Sequence, residues 1–208
     1  MQNNCYARMR GCNNATPAIL SGMLFPCMKR ITPEDLIKGA EAVAEITGQS
    51  HIFIVGMASA AFSAPEVREI LTDDIDLFTP DSETCFLDEV IASVGEGSPF
   101  ESSHGFYVER LGAWVLLTQP RGWMQRALTV PHSFLTIRVL HPLDLLYNKL
   151  EVGRKKDLDA AAQILSHGPV SVDQIKAFIA DSASPAETKA AILENLHRVL
   201  RRLKPSGS

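Results

Sequence analysis

The sequence predicts a mixed α/β fold with a helical C-terminal part, and three observations carry the prediction. Short apolar, β-branched runs recur between His51 and Leu140, separated by Gly, Pro and acidic residues. A helix start at Thr32-Pro33 and a stop at Gly48 precede the first of them. After His141-Pro142 only helical periodicity follows.

Taken in order, residues 1–30 are rich in Asn, Cys, Met and Gly and carry no apolar period. Two readings stand: an extension, mobile, with the folded part beginning near Met28, or a short helix at Ile19–Phe25 packed on the core. Thr32 suits an N-cap, Pro33 the first helical position and Asp35 the third, where a carboxylate can complete a weak capping box. Leu36, Ala40, Val43, Ala44 and Thr47 then line one helical face. His51–Val55 reads as a buried strand, Gly56 as a turn, and Ala58–Ala64 and Pro65–Leu71 as short helices. Ile75, Leu77 and Phe78 with Asp74 and Asp76 make a second strand.

Phe86–Val94 is expected to be helical, and Gly97–Pro99 to be a loop. Phe106–Arg110 and Ala113–Thr118 are expected to pair as a β-hairpin about Leu111-Gly112. Trp123–Leu128 reads as a short helix or turn, and Phe134–Leu140 as a further strand. Helices are expected at Leu143–Val152, Lys156–Ser166, Val172–Ala180 and Pro185–Leu203. The chain thus divides into an extension over 1–30, an α/β core over 31–141 and a helical part over 142–208.

Composition narrows the class. With 20 basic and 24 acidic residues the net charge is −4, so no bulk attraction to nucleic acid or anionic membrane is expected. No apolar run approaches the roughly 18 residues of a membrane span, and the first residues do not resemble a secretory signal, which makes the cytoplasm the expected location. Cys5, Cys12, Cys27 and Cys85 show no zinc-ligand spacing and read as reduced thiols.

The chemistry lies between Ile52 and Phe78. Asp74 and Asp76 stand two apart on a strand, so both project from one face. Paired carboxylates repel unless a proton or a cation joins them, and a hard divalent cation suits oxygen ligands. Backbone N–H groups after Gly56, at the start of a helix, would favour a phosphate. The plainer reading is an exposed Asp-x-Asp edge and an ordinary turn glycine.

The order strand, Gly, helix, Asp-x-Asp strand resembles the nucleotidyltransferase superfamily, on Val55-Gly56-Met57-Ala58 and Thr72-Asp73-Asp74-Ile75-Asp76-Leu77-Phe78. A second block is similar to the helical segment of small bacterial nucleotidyltransferase-like proteins, including relatives of AbiEii-type toxins: Val139–Leu146, Lys149-Leu150 and Arg154–Asp159. The resemblance implies a mixed sheet flanked by helices. It implies Asp74 and Asp76 as ligands of Mg2+ and a third acid on a later strand. It also implies a nucleotide site around Gly56, Met57 and Ser59, with Lys149, Arg154, Lys155 or Lys156 neutralising phosphate. The implied activity is magnesium-dependent transfer of a nucleoside monophosphate from a nucleoside triphosphate to a small molecule, a protein or an RNA end. The alternative is a catalytically impaired binding protein on the same fold, a partner in a toxin–antitoxin-like pair.

Two departures from the pattern stand out. Met57 replaces the second small residue of the glycine turn and would crowd a phosphate, while Ser59 offers a hydroxyl two residues on. The expected position of the third acid, Ala113–Thr118, holds no carboxylate, which leaves Glu109 on the paired strand as the nearest substitute. Elsewhere the plain readings are preferred: Lys155, Lys156 and Asp157 as a solvated helix start, Arg198, Arg201, Arg202 and Lys204 as cations at a helix C-terminus, Trp114 and Trp123 as core aromatics.

Overall fold

The computed structural model describes residues 30–67, 72–80, 87–112 and 115–203. The expectations for residues 1–29, the four cysteines, Trp114 and Lys204 lie outside them. Helix α1 (Pro33–Thr47) opens with the anticipated capping box in full. The Thr32 hydroxyl accepts from the Asp35 amide, and the Asp35 carboxylate accepts from the Thr32 amide at 3.0 Å. Gly48 closes the helix in the left-handed region.

Five strands form one mixed sheet. They are β1 (His51–Ile54), β2 (Asp74–Phe78), β3 (Tyr107–Arg110), β4 (Leu128–Val130) and β5 (Thr136–Val139), in the order β3-β2-β1-β5-β4. Central β1 runs antiparallel to β2 and parallel to β5, while β2 and β3 are parallel and β4 and β5 antiparallel. Between β1 and β2 the chain makes a 3-10 turn at Met57–Ser59 and a single helical turn, α2 (Ala60–Ser63). Between β2 and β3 lie α3 (Leu87–Val94) and α4 (Pro99–His104). Between β3 and β4 lie α5 (Val115–Thr118) and α6 (Trp123–Arg126). The chain then continues as α7 (Pro142–Val152), α8 (Lys155–His167), α9 (Val172–Asp181) and α10 (Ala186–Leu203).

Alternation along the strands splits the core in two. On one face Ile52, Ile54, Ile75, Leu77 and Val108 pack with Leu36, Ala40 and Val43 of α1 and with Val90 and Val94 of α3. On the other, Phe53, Val55 and Phe78 join Trp123 and the apolar stripes of α7–α10, among them Leu146, Leu150, Ile164 and Leu196. Trp123 is a core aromatic, edge-on to Phe53 at 5.2 Å. The C-terminal helices therefore cover one side of the sheet.

Four expectations are corrected. The hairpin of Phe106–Arg110 with Ala113–Thr118 does not form: β3 pairs in parallel with β2, and Val115–Thr118 is a helical turn whose Val115 is buried among apolar side chains. A helix follows Ser98, whose hydroxyl accepts from the Glu101 amide, where only a loop had been read. Leu128–Val130 is a strand, short enough for its period to be lost beside the Trp123 turn. Pro65–Val67 is not helical, and residues 68–71 lie outside the described set.

Candidate metal and nucleotide site

Phe78 lies among the C-terminal helices and Ile75 and Leu77 beneath α1, so parity sends Asp74 and Asp76 to the side of α7–α10. The register of β2 on β3 then sets Asp76 opposite Glu109 and Asp74 opposite Tyr107. Val108 is buried on the far face, which leaves Tyr107 and Glu109 on the acidic one. One carboxylate oxygen from each of Asp74, Asp76 and Glu109 lies within 4.8 Å of the others, so the three can hold a metal ion. The donor set is all oxygen and anionic, which fits a hard divalent cation and not a soft one. Glu109 thus supplies the third carboxylate of the cluster, from the strand beside Asp76.

Gly56 closes the site from below. It adopts φ +62°, and a Cβ built there would overlap Asp76 Oδ2 and lie 2.8 Å from Asp76 Cγ. Only a residue without a side chain brings the turn this close to the carboxylate. The Ser59 hydroxyl donates to the Gly56 carbonyl at 2.7 Å and is fully buried. It braces the turn and is not presented to a ligand, which corrects its reading as a nucleotide contact. The Met57 side chain packs against the apolar cluster below the C-terminal helices. The helix after the turn is one turn long, so its dipole contributes little to anion binding.

Charge completes the picture. Burial pushes Asp76 up from 3.8 to about 6, Asp74 and Glu109 add to the rise, and Lys149 and Lys156 oppose it. Tyr107 is pushed up to about 12, by burial first and then by Asp74, Asp73, Glu96 and Glu109. The Thr72 hydroxyl donates to the Asp74 carboxylate. Lys149 on α7 and Lys156 at the start of α8 thus act electrostatically on Asp76, whereas exposed Lys155 does not figure among the charges acting on it.

Asp157 departs furthest from its sequence reading. It is 1% exposed, not solvated, and accepts from Lys149 Nζ at 3.2 Å and Arg154 Nε at 2.6 Å. Burial would raise its pKa, but the bonds to Arg154 and Lys149 outweigh it and hold the carboxyl below the usual range. Nothing in the spacing of Arg154 to Asp157 signals that depth; only the packing of α8 on α7 does. Lys149 is thereby fixed between a buried carboxylate and the acidic trio.

Comparison of the chain with protein-family models, with curated proteins and with solved structures gave no match in any of the three. Among the described residues no helix is long and apolar enough to cross a membrane.

Proposed function

We propose that this chain is a nucleotidyltransferase: it binds a nucleoside triphosphate through Mg2+ held by Asp74, Asp76 and Glu109 and transfers the nucleoside monophosphate to an acceptor hydroxyl, the α–β phosphoanhydride bond breaking and pyrophosphate leaving. The observation that supports this best is the convergence of three carboxylates from adjacent strands within 4.8 Å, against a glycine turn that tolerates no side chain. The magnesium would neutralise the triphosphate and stabilise charge at the α-phosphate.

The remaining work falls to residues of the chain. Lys149, fixed by Asp157, supplies a positive charge of defined position beside Asp76. Lys156 supplies a second, exposed charge that can follow a phosphate. Gly56 lets the turn lie directly against the Asp76 carboxylate and so holds that ligand in place. A carboxylate oxygen of the trio left free by the cation would accept the acceptor's proton. The clustering of Glu109 with Asp74 and Asp76 supports this reading over that of a catalytically impaired binding protein.

Two measurements test the reading. Titration calorimetry with a non-hydrolysable ATP analogue should show binding to the wild type that needs Mg2+ and is lost in Asp76→Asn. Incubation with α-labelled nucleotides and cell extract should move label onto a recipient molecule in a magnesium-dependent manner. Binding that ignores both magnesium and Asp76 would sink the proposal.

A further inference from the structure

A cavity lies behind α7, away from the acids. Lys149 faces the acidic site, and residues two apart on a helix point about 200° apart, so Tyr147 and Glu151 turn the other way. They line a cavity of about 340 Å³ with Thr118 and Arg121 from the segment around α5 and α6 and with Ser182 and Ser184 from the α9–α10 loop. That volume holds one small molecule.

Its wall is polar in a particular sense. The Thr118 hydroxyl donates to the Val115 carbonyl and the Ser182 hydroxyl to the Ile179 carbonyl, at 3.2 and 2.8 Å. Their hydrogens are spent, so toward the cavity they offer lone pairs. Glu151 adds a carboxylate, which burial alone holds above its ordinary pKa and which has no hydrogen-bond or ion-pair partner among the described residues. Arg121 is the one cation of the lining, and its guanidinium is likewise unpartnered among the described residues. Beside them Asn148 donates to Gln119, another lining residue, while Asn148 Oδ1 is buried without a partner. Two opposite charges, exposed at one open cavity with further acceptors around them, suit a ligand that carries both charges and is rich in N–H donors.

We infer that this cavity binds a free α-amino acid, its ammonium group on Glu151 and the acceptor oxygens of Thr118 and Ser182, its carboxylate on Arg121. The site is separate from the proposed transfer chemistry and does not depend on it.

Saturation-transfer NMR on the full chain with each common L-amino acid, followed by calorimetry, tests the inference, with butylamine and acetate as controls. At least one amino acid should bind with a Kd below about 1 mM. Glu151→Gln and Arg121→Gln should each weaken it by more than about tenfold, the loss expected for a charge-assisted hydrogen bond. Asp76→Asn should bind it as the wild type does. Circular dichroism establishes that the variants are folded. Three outcomes overturn the inference: no amino acid binds, either cavity variant keeps wild-type affinity, or one of the controls binds as tightly as the amino acid.

Discussion

Asp76 on β2 stands directly opposite Glu109 on β3, in register across two parallel strands. Side chains so paired share one face and one small volume, and two carboxylates there are stable together only with a proton or a cation between them. That relationship predicts a site sensitive to pH, and to a divalent cation where one binds.

The sign for pH follows from Asp76. Its folded pKa, about 6, lies above the ordinary 3.8, so the native state holds the proton more tightly than the unfolded chain. Without divalent cations, this group's contribution to stability is greatest below pH 4 and declines as pH rises through 6, by roughly 2–3 kcal/mol. Asp76→Asn should remove that decline and make the metal-free protein more stable than the wild type at pH 7. Thermal unfolding of both proteins between pH 4 and 7.5 in EDTA checks this. Parallel curves would refute it.

Added Mg2+ should stabilise the wild type more at pH 7 than at pH 5, because the ligand must lose its proton to bind. The gain should vanish in Asp76→Asn and fall in Glu109→Gln. Differential scanning fluorimetry with and without the ion measures it; an equal gain at both pH values counts against binding at these acids.

Gly56→Ala should destabilise the chain by about 2 kcal/mol or more, since a side chain at positive φ is strained and its Cβ overlaps the Asp76 carboxylate. The same change should abolish the magnesium response. A variant with unaltered unfolding and intact metal stabilisation would show that the turn does not press on Asp76.

Lys149→Met removes a charge that favours ionised Asp76, so the Asp76 pKa should climb above about 6 and nucleotide affinity should fall by about tenfold or more. Arg154 still holds Asp157, which limits the loss of stability. A carbon-detected NMR titration of the Asp76 carboxyl reads the shift; an unmoved midpoint would place Lys149 outside the site.

Away from the acids, Arg126 makes two hydrogen bonds, at 2.6 and 3.0 Å, to an Asp144 carboxylate that is completely buried. Arg126→Met should cost about 3–5 kcal/mol, because it strands a buried charge. Denaturant unfolding measures it, and acidification should restore part of the loss. A cost under 1 kcal/mol would mean that Asp144 finds another partner.

Much of this arrangement was legible in the chain. The Thr32-Pro33-Asp35 start, the C-terminal helices and the Asp74/Asp76 strand all rest on local signals: caps, 3.6-residue stripes and two-residue alternation. Strand pairing is not local. The Leu111-Gly112 step suggested a hairpin, yet β3 finds its partner in β2, some thirty residues earlier by the register Asp76 to Glu109. The residue that joins Asp74 and Asp76 therefore comes from β3, and not from the segment that a hairpin would have placed beside it. Asp157 misled for a related reason. A charged residue in the first turn of a helix is ordinarily solvated, and its burial becomes visible only once α8 packs against α7 and brings Lys149 to it.

Glu109 belongs to the outermost strand of the sheet, while Asp74 and Asp76 belong to an inner one. A bound ion would therefore act as a rivet along the sheet's margin, joining the strand most prone to fray to its better-anchored neighbour. Loss of the ion should let β3 open first. Hydrogen exchange at Val108 and Glu109 would then serve as a gauge of occupancy, slowing when the rivet is in place and quickening when a chelator withdraws it.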